Sequence, residues 1–256
     1  MTKRQKFITT SLVLSLGFLC INFLENQNRY WAIAVLTLVT TFLFFWSLIE
    51  GLGLNATLVT LVLPTLYSLG VGLFWFLLPA TIFARLPIVI LYGFGIYALC
   101  LTTNIFTVSA IRTIALVRAA RGVGFVLTLF TFFLLFDAVL SIKASIVLMS
   151  ILIFIVSFPL FLQGFWQSSL DTKISPKLFQ NTLVSSLILV EIALLLYFWP
   201  VSVVVGSIFL TVGAYVLLGL GEASLEERLF KQTVREYLII AFIVFLAMFL
   251  VTHWGE

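Results

Sequence analysis

The sequence predicts an all-α fold: a polytopic transmembrane helical bundle of about nine spans, N-terminus cytoplasmic and C-terminus outside. Three observations predict it. Of the 256 residues, 62% are hydrophobic and 9% charged, with a mean hydropathy of +1.24. A soluble domain carries roughly 25% charged residues, so there is too little polar surface to cover a globule in water. Apolar runs near the ~20 residues that cross a bilayer core recur along the whole chain. Lysine and arginine fall on alternate connections between those runs.

The runs lie at about 7–24, 30–49, 57–79, 86–105, 121–141, 144–163, 178–199, 201–220 and 237–253. Only a helix satisfies every backbone group within one lipid-exposed segment, so each is expected to be a helix. The first follows "MTKRQK", which resembles the start of a signal peptide. The run is long and no small-x-small site precedes "ENQNRY", so it is expected to stay as an anchor. "ENQN", "EGLGLN", "LDTKISPK" and Pro200 supply turns between spans. With the N-terminus inside, eleven basic residues fall in cytoplasmic segments and three, Arg29, Arg85 and Lys143, in outer ones. Trp31, Trp46, Trp75, Trp166, Trp199 and Trp254 all lie near span ends, where amphipathic indoles prefer to sit.

The longest segments outside the spans are 106–120 and 221–236. Neither can hold a soluble domain, so residues 1–256 are expected to form a single integral membrane domain. The second reads as helix: Ser224 and Glu227 fit a capping box, Glu227 and Lys231 an i,i+4 pair, and no breaker separates it from the ninth span. The first carries Arg112, Arg118 and Arg121. Its apolar residues fall nearly all round a helical wheel, so the arginines read as contacts to anionic headgroups on the cytoplasmic side or as a docking site for an acidic partner.

Several chemistries lack their signatures. Cys20 and Cys100 sit in different apolar runs, and the lone His253 has no second ligand type near it. "GLGLNA" (51–56) and "GFGIYA" (93–98) fit G-x-G-x-x-A without the strand–turn–helix context a dinucleotide site needs. Gly70/Gly72 and Gly93/Gly95 instead suit close helix packing. The sequon at Asn55 falls on the cytoplasmic side. No cofactor, catalytic residue or nucleic-acid partner is expected.

Two acids lie well inside spans. Asp137 sits about 9 Å beyond the middle of its span by helical rise. Lys143 lies just past the span's end, so an outer-side ion pair through a snorkelling lysine is expected. Glu191, in "SSLILVEIALLLYFWP", lies only about 4 Å from its midplane. The short Pro200 turn makes the next span an antiparallel neighbour and sets Ser207, Thr211 and Tyr215 opposite it in depth. With no basic residue there, a protonated Glu191 is expected, bonded to these hydroxyls as interhelical glue or serving as a proton- or cation-handling site.

"NIFTVSAIRTIALVRAARGVGF" (104–125) and "LLGLGEASLEERLFKQTVREYL" (217–238) are similar to an uncharacterised, domain-of-unknown-function family of polytopic membrane proteins from uncultivated bacteria of small genome. The resemblance runs over most of the chain. It implies a bacterial inner-membrane location and carries over no activity. The function expected is therefore a non-enzymatic structural or interaction component of that membrane, with lipids and a protein partner or second copy as its contacts. The alternative is a small-solute transporter coupled to protons through Glu191.

Overall fold

A computed structural model describes residues 2–21, 23–24, 26–49, 52, 56–78, 82–109, 116–170 and 173–252. Arg112, Asn55, His253 and Trp254 lie outside the described residues. Among those described, the chain is all helix: α1 (Lys3–Ile21), α2 (Asn26–Leu48), α3 (Val62–Leu77), α4 (Ile82–Ser109), α5 (Val117–Ser141), α6 (Ile146–Ser169), α7 (Pro176–Tyr197), α8 (Val203–Leu225) and α9 (Lys231–Val251). A 3-10 stretch, Ala56–Leu61, leads into α3. All nine expected spans find a helix, with ends displaced by up to six residues.

Eight of the nine, α2 to α9, are long and apolar enough to cross a membrane. The exception, α1, begins with Lys3, Arg4 and Lys6. Only its last 15 residues are uncharged, ~22 Å of helix at 1.5 Å per residue, so it crosses only if its lysines snorkel.

The chain forms two compact units. The first comprises Met1–Leu134 with Leu170–Lys173, the second Leu135–Ser169 with Ile174–Glu256. In the first, α1 packs on α2 and α4, and α3 on α2 and α4. Its core is aromatic: Phe18 lies 4.8 Å from Trp75 and 4.9 Å from Tyr92 between ring centroids, and Tyr67 stacks on Tyr92. Trp75 and, in the second unit, Trp166 are fully buried, so these two indoles pack in protein rather than at the membrane surface. Trp31 and Trp46 are exposed. Arg85 lies over the Trp75 ring and Lys6 over Trp46, which lets helix-end cations share an aromatic face.

In the second unit, α6 packs on α7 and α8, α7 on α8, and α8 on α9. α7 starts cleanly because Ser175 accepts a hydrogen bond from the Leu178 N–H and Pro176 opens the helix. Ser202 caps α8 in the same way through the Val205 N–H.

The segment after α8 departs from its expected continuous helix. Ser224 lies in the last turn of α8, and the chain breaks over 226–230. Glu227 adopts φ 57°, the Arg228 N–H reaches Ala223 O at 2.8 Å, and the Glu227 N–H reaches Ser224 O at 3.3 Å. This is a Schellman stop, in which glycine usually occupies the left-handed position. The stop removes the capping box, and Glu227 and Lys231 do not share a helix. Because a side chain in this conformation costs roughly 1 kcal/mol, Glu227→Gly is expected to raise stability by about 0.5–1 kcal/mol. Thermal unfolding of both proteins in the same detergent checks this.

Candidate functional site

The polar groups inside the helices form the candidate site. In the first unit, Thr40 of α2, Ser68 of α3 and Tyr92 of α4 meet. Ser68 Oγ lies 3.0 Å from Thr40 Oγ1 and 2.9 Å from Tyr92 Oη, and Thr40 Oγ1 lies 2.8 Å from Leu36 O. Each hydroxyl has one proton to give. The Thr40 hydroxyl is placed to donate to Ser68 Oγ or to the Leu36 carbonyl, and Ser68 and Tyr92 share a hydrogen bond in which either can be the donor. Three helices are thereby tied through one chain of buried hydroxyls. Two further links support them. Thr41 and Thr65 are 2.7 Å apart between α2 and α3, and Ser11 of α1 donates to Gly93 O of α4 at 2.7 Å. None of these hydroxyls stood out in the sequence, because serine and threonine are common in spans and usually bond back to their own helix.

The expected close approach at Gly93 and Gly95 is present. A methyl group at Gly93 would meet Ser15, and one at Gly95 would meet the Tyr67 ring and hydroxyl. Gly72 approaches Ile33 in the same way.

In the second unit, Asp137 of α5 is 3% exposed, and Ser207 of α8 is fully buried beside it. Ser207 Oγ lies 3.0 Å from Asp137 Oδ1 and 2.7 Å from Val203 O. Ser207 thus serves Asp137, not Glu191. Thr211 donates back to Ser207 O at 2.7 Å, and the Tyr215 ring packs against Tyr237 at 5.1 Å. Glu191 is exposed on α7 and makes no hydrogen bond or ion pair among the described residues. It does not turn toward α8 as expected. The packed face of α7 is set by Leu189, Ala193 and Leu196, and Leu189 and Ile192 close on Gly213 of α8. Two residues from both Leu189 and Ala193, Glu191 is turned about 160° from each, at 100° per residue.

The Asp137–Lys143 pair is not formed either. Lys143 is six residues on from Asp137, and α5 ends at Ser141 before reaching it. Lys143, beyond the helix at φ 50°, is exposed. It lines a cleft of about 280 Å³ with Met149, Trp199, Ser202 and Gly206, and Glu191 does not line this cleft. Arg118 is exposed and Arg121 half-buried at the start of α5. Among the described residues no group of three or more His, Cys, Asp or Glu side chains could hold a metal ion.

Eight apolar spanning helices, joined by short connections and tied internally by hydroxyl and carboxyl bonds, define a multi-pass helical membrane protein. The chain belongs to the family described as protein of unknown function DUF5656, which it matches over residues 9–251. No curated protein and no solved structure matches it.

Proposed function

We propose that the protein is a non-enzymatic, structural or interaction component of a bacterial cytoplasmic membrane, with its N-terminus inside. The observation that carries this reading is where the intramembrane polar groups are spent. Thr40, Ser68 and Tyr92 bond one another, and Asp137 bonds Ser207. Such bonds hold helices together and leave these groups committed to packing rather than to a passing solute. The positive-inside bias sets the orientation, and Arg118 and Arg121 then face anionic headgroups.

The transporter alternative asked for Glu191 in a wet cavity within the bundle. Its place on the exposed face of α7 takes away that support. Reconstitution decides between the two. Proteoliposomes loaded with a pH-sensitive dye and given a pH gradient are expected to show the same proton leak for the native protein and Glu191→Gln. A flux that the native protein supports and the glutamine variant loses would overturn the structural reading.

A further inference from the structure

Where α5 and α7 stop and α6 and α8 begin, the second unit holds the cleft of about 280 Å³ that Lys143 lines. Its lining is sorted by depth. Lys143, Trp199 and Ser202 lie just outside the helix ends, which puts them at the membrane surface. Val139, Met149 and Gly206 lie two or three residues inside α5, α6 and α8 and form its apolar part. Lys143 is exposed and makes no ion pair among the described residues; the nearest acid in sequence, Asp137, is bonded to Ser207. The Lys143 backbone, at φ 50°, is in the left-handed conformation where a helix end usually places glycine. A lysine held there points to a use for its side chain. Ser202 Oγ accepts the Val205 N–H at 3.4 Å, and its own proton has no acceptor among the described residues. Trp199 is fixed as one wall, because its Nε1 donates to Thr252 Oγ1 at 3.0 Å.

We infer that this cleft is a binding site for one anionic phospholipid, with its phosphate on Lys143 and Ser202 and the start of an acyl chain between Val139, Met149 and Gly206. The lining repeats the lipid's own order, charge at the surface and hydrocarbon below. A lysine with no carboxylate beside it leaves the site net positive. A lipid of net negative charge is therefore favoured over a zwitterionic one, whose ammonium the lysine repels. The volume is close to the lower end of ligand pockets, ~300 Å³. It fits a headgroup and the first part of one chain, and the rest of the lipid stays in the bilayer. A free phosphate ion would satisfy the lysine and the serine but leave the apolar part of the cleft empty. The site is separate from the headgroup contacts of Arg118 and Arg121, which lie at the start of α5.

The test titrates the full-length protein in a mild detergent with phosphatidylglycerol and counts bound lipids by native mass spectrometry. The first lipid is expected to bind about tenfold more weakly to Lys143→Gln and to Lys143→Gly, the effect of losing one hydrogen bond between charged groups. Lys143→Arg should keep the affinity, and so should Lys177→Gln, which removes the same charge from the exposed start of α7. Phosphatidylcholine should bind the native protein more weakly than phosphatidylglycerol. Glycerol phosphate, a headgroup without chains, should not displace the lipid. Lys143→Gly is also expected to unfold at the same temperature as the native protein or higher, because glycine relieves the left-handed backbone. Binding is then lost from an intact fold. Equal affinity in the native protein and Lys143→Gln, an equal loss in Lys177→Gln, no preference for phosphatidylglycerol, or displacement by glycerol phosphate would each overturn the inference. So would a lower unfolding temperature in both Lys143→Gly and Lys143→Gln, which would make the lysine a cap of α5 instead of a lipid contact. The proton-leak experiment is untouched by any of these results, so the lipid site and the structural role fail separately.

Discussion

Ser207→Ala is expected to lower stability by about 1–3 kcal/mol, the cost of leaving a buried polar group without its partner. Asp137 is 3% exposed, and Ser207 is the only hydrogen-bond partner it has among the described residues. Removing one hydroxyl therefore does more than delete a bond: it leaves a carboxyl in a closed, apolar setting. Ser207→Thr keeps the hydroxyl and is expected to recover much of the loss, provided the added methyl fits. Asp137→Asn, which keeps a donor and an acceptor at the same place, is expected to be milder than Asp137→Ala. Reversible unfolding of the four variants in one detergent, followed by helix content, gives the ranking. If Ser207→Ala matches the native protein, Asp137 has another partner and the helix-tie account of this pair is wrong.

Gly95→Ala is expected to cost about 1–3 kcal/mol by overpacking. A methyl group there would run into Tyr67, whose ring carbon Cζ would lie 2.6 Å away. Tyr67 cannot readily withdraw. It is 2% exposed, its ring stacks on Tyr92 at 5.8 Å between centroids, and its hydroxyl donates to Leu91 O at 3.4 Å. Tyr67→Phe removes the oxygen but not the ring carbon, so it should rescue Gly95→Ala only in part, whereas Tyr67→Leu should rescue it further. Unfolding midpoints of the single and double variants test this. Gly122 makes a useful contrast: a methyl group there meets nothing within 4 Å, so Gly122→Ala should be neutral or stabilising by the helix propensity of alanine.

What could be read from the chain divides along a physical line. Span positions were legible, since hydrocarbon demands about 20 apolar residues and loops must be polar. Adjacency was legible too: the short Pro200 turn makes α7 and α8 neighbours, and they pack together. Rotation about the helix axis was not. Whether Glu191 turns toward α8 depends on how Leu189 and Ile192 settle on Gly213, a packing outcome with no local signature. The same gap hid the partnership of Asp137 with Ser207, 70 residues apart in sequence. The stop after α8 escaped notice for another reason. Its left-handed residue is Glu227, and a glutamate does not announce a helix end as glycine would. Close packing at Gly95 was expected, but its partner Tyr67 could be seen only in the fold.

The central claim is that the acid bonded to Ser207 is Asp137 and that this bond holds helices together. A pair of double-mutant cycles tests it most directly: Asp137→Ala with Ser207→Ala, and Glu191→Ala with Ser207→Ala, each scored by unfolding free energy. The account predicts a coupling of about 0.5–2 kcal/mol in the first cycle, the range for contacting polar pairs in membranes, and none beyond error in the second. Coupling between Glu191 and Ser207, with none between Asp137 and Ser207, would contradict it.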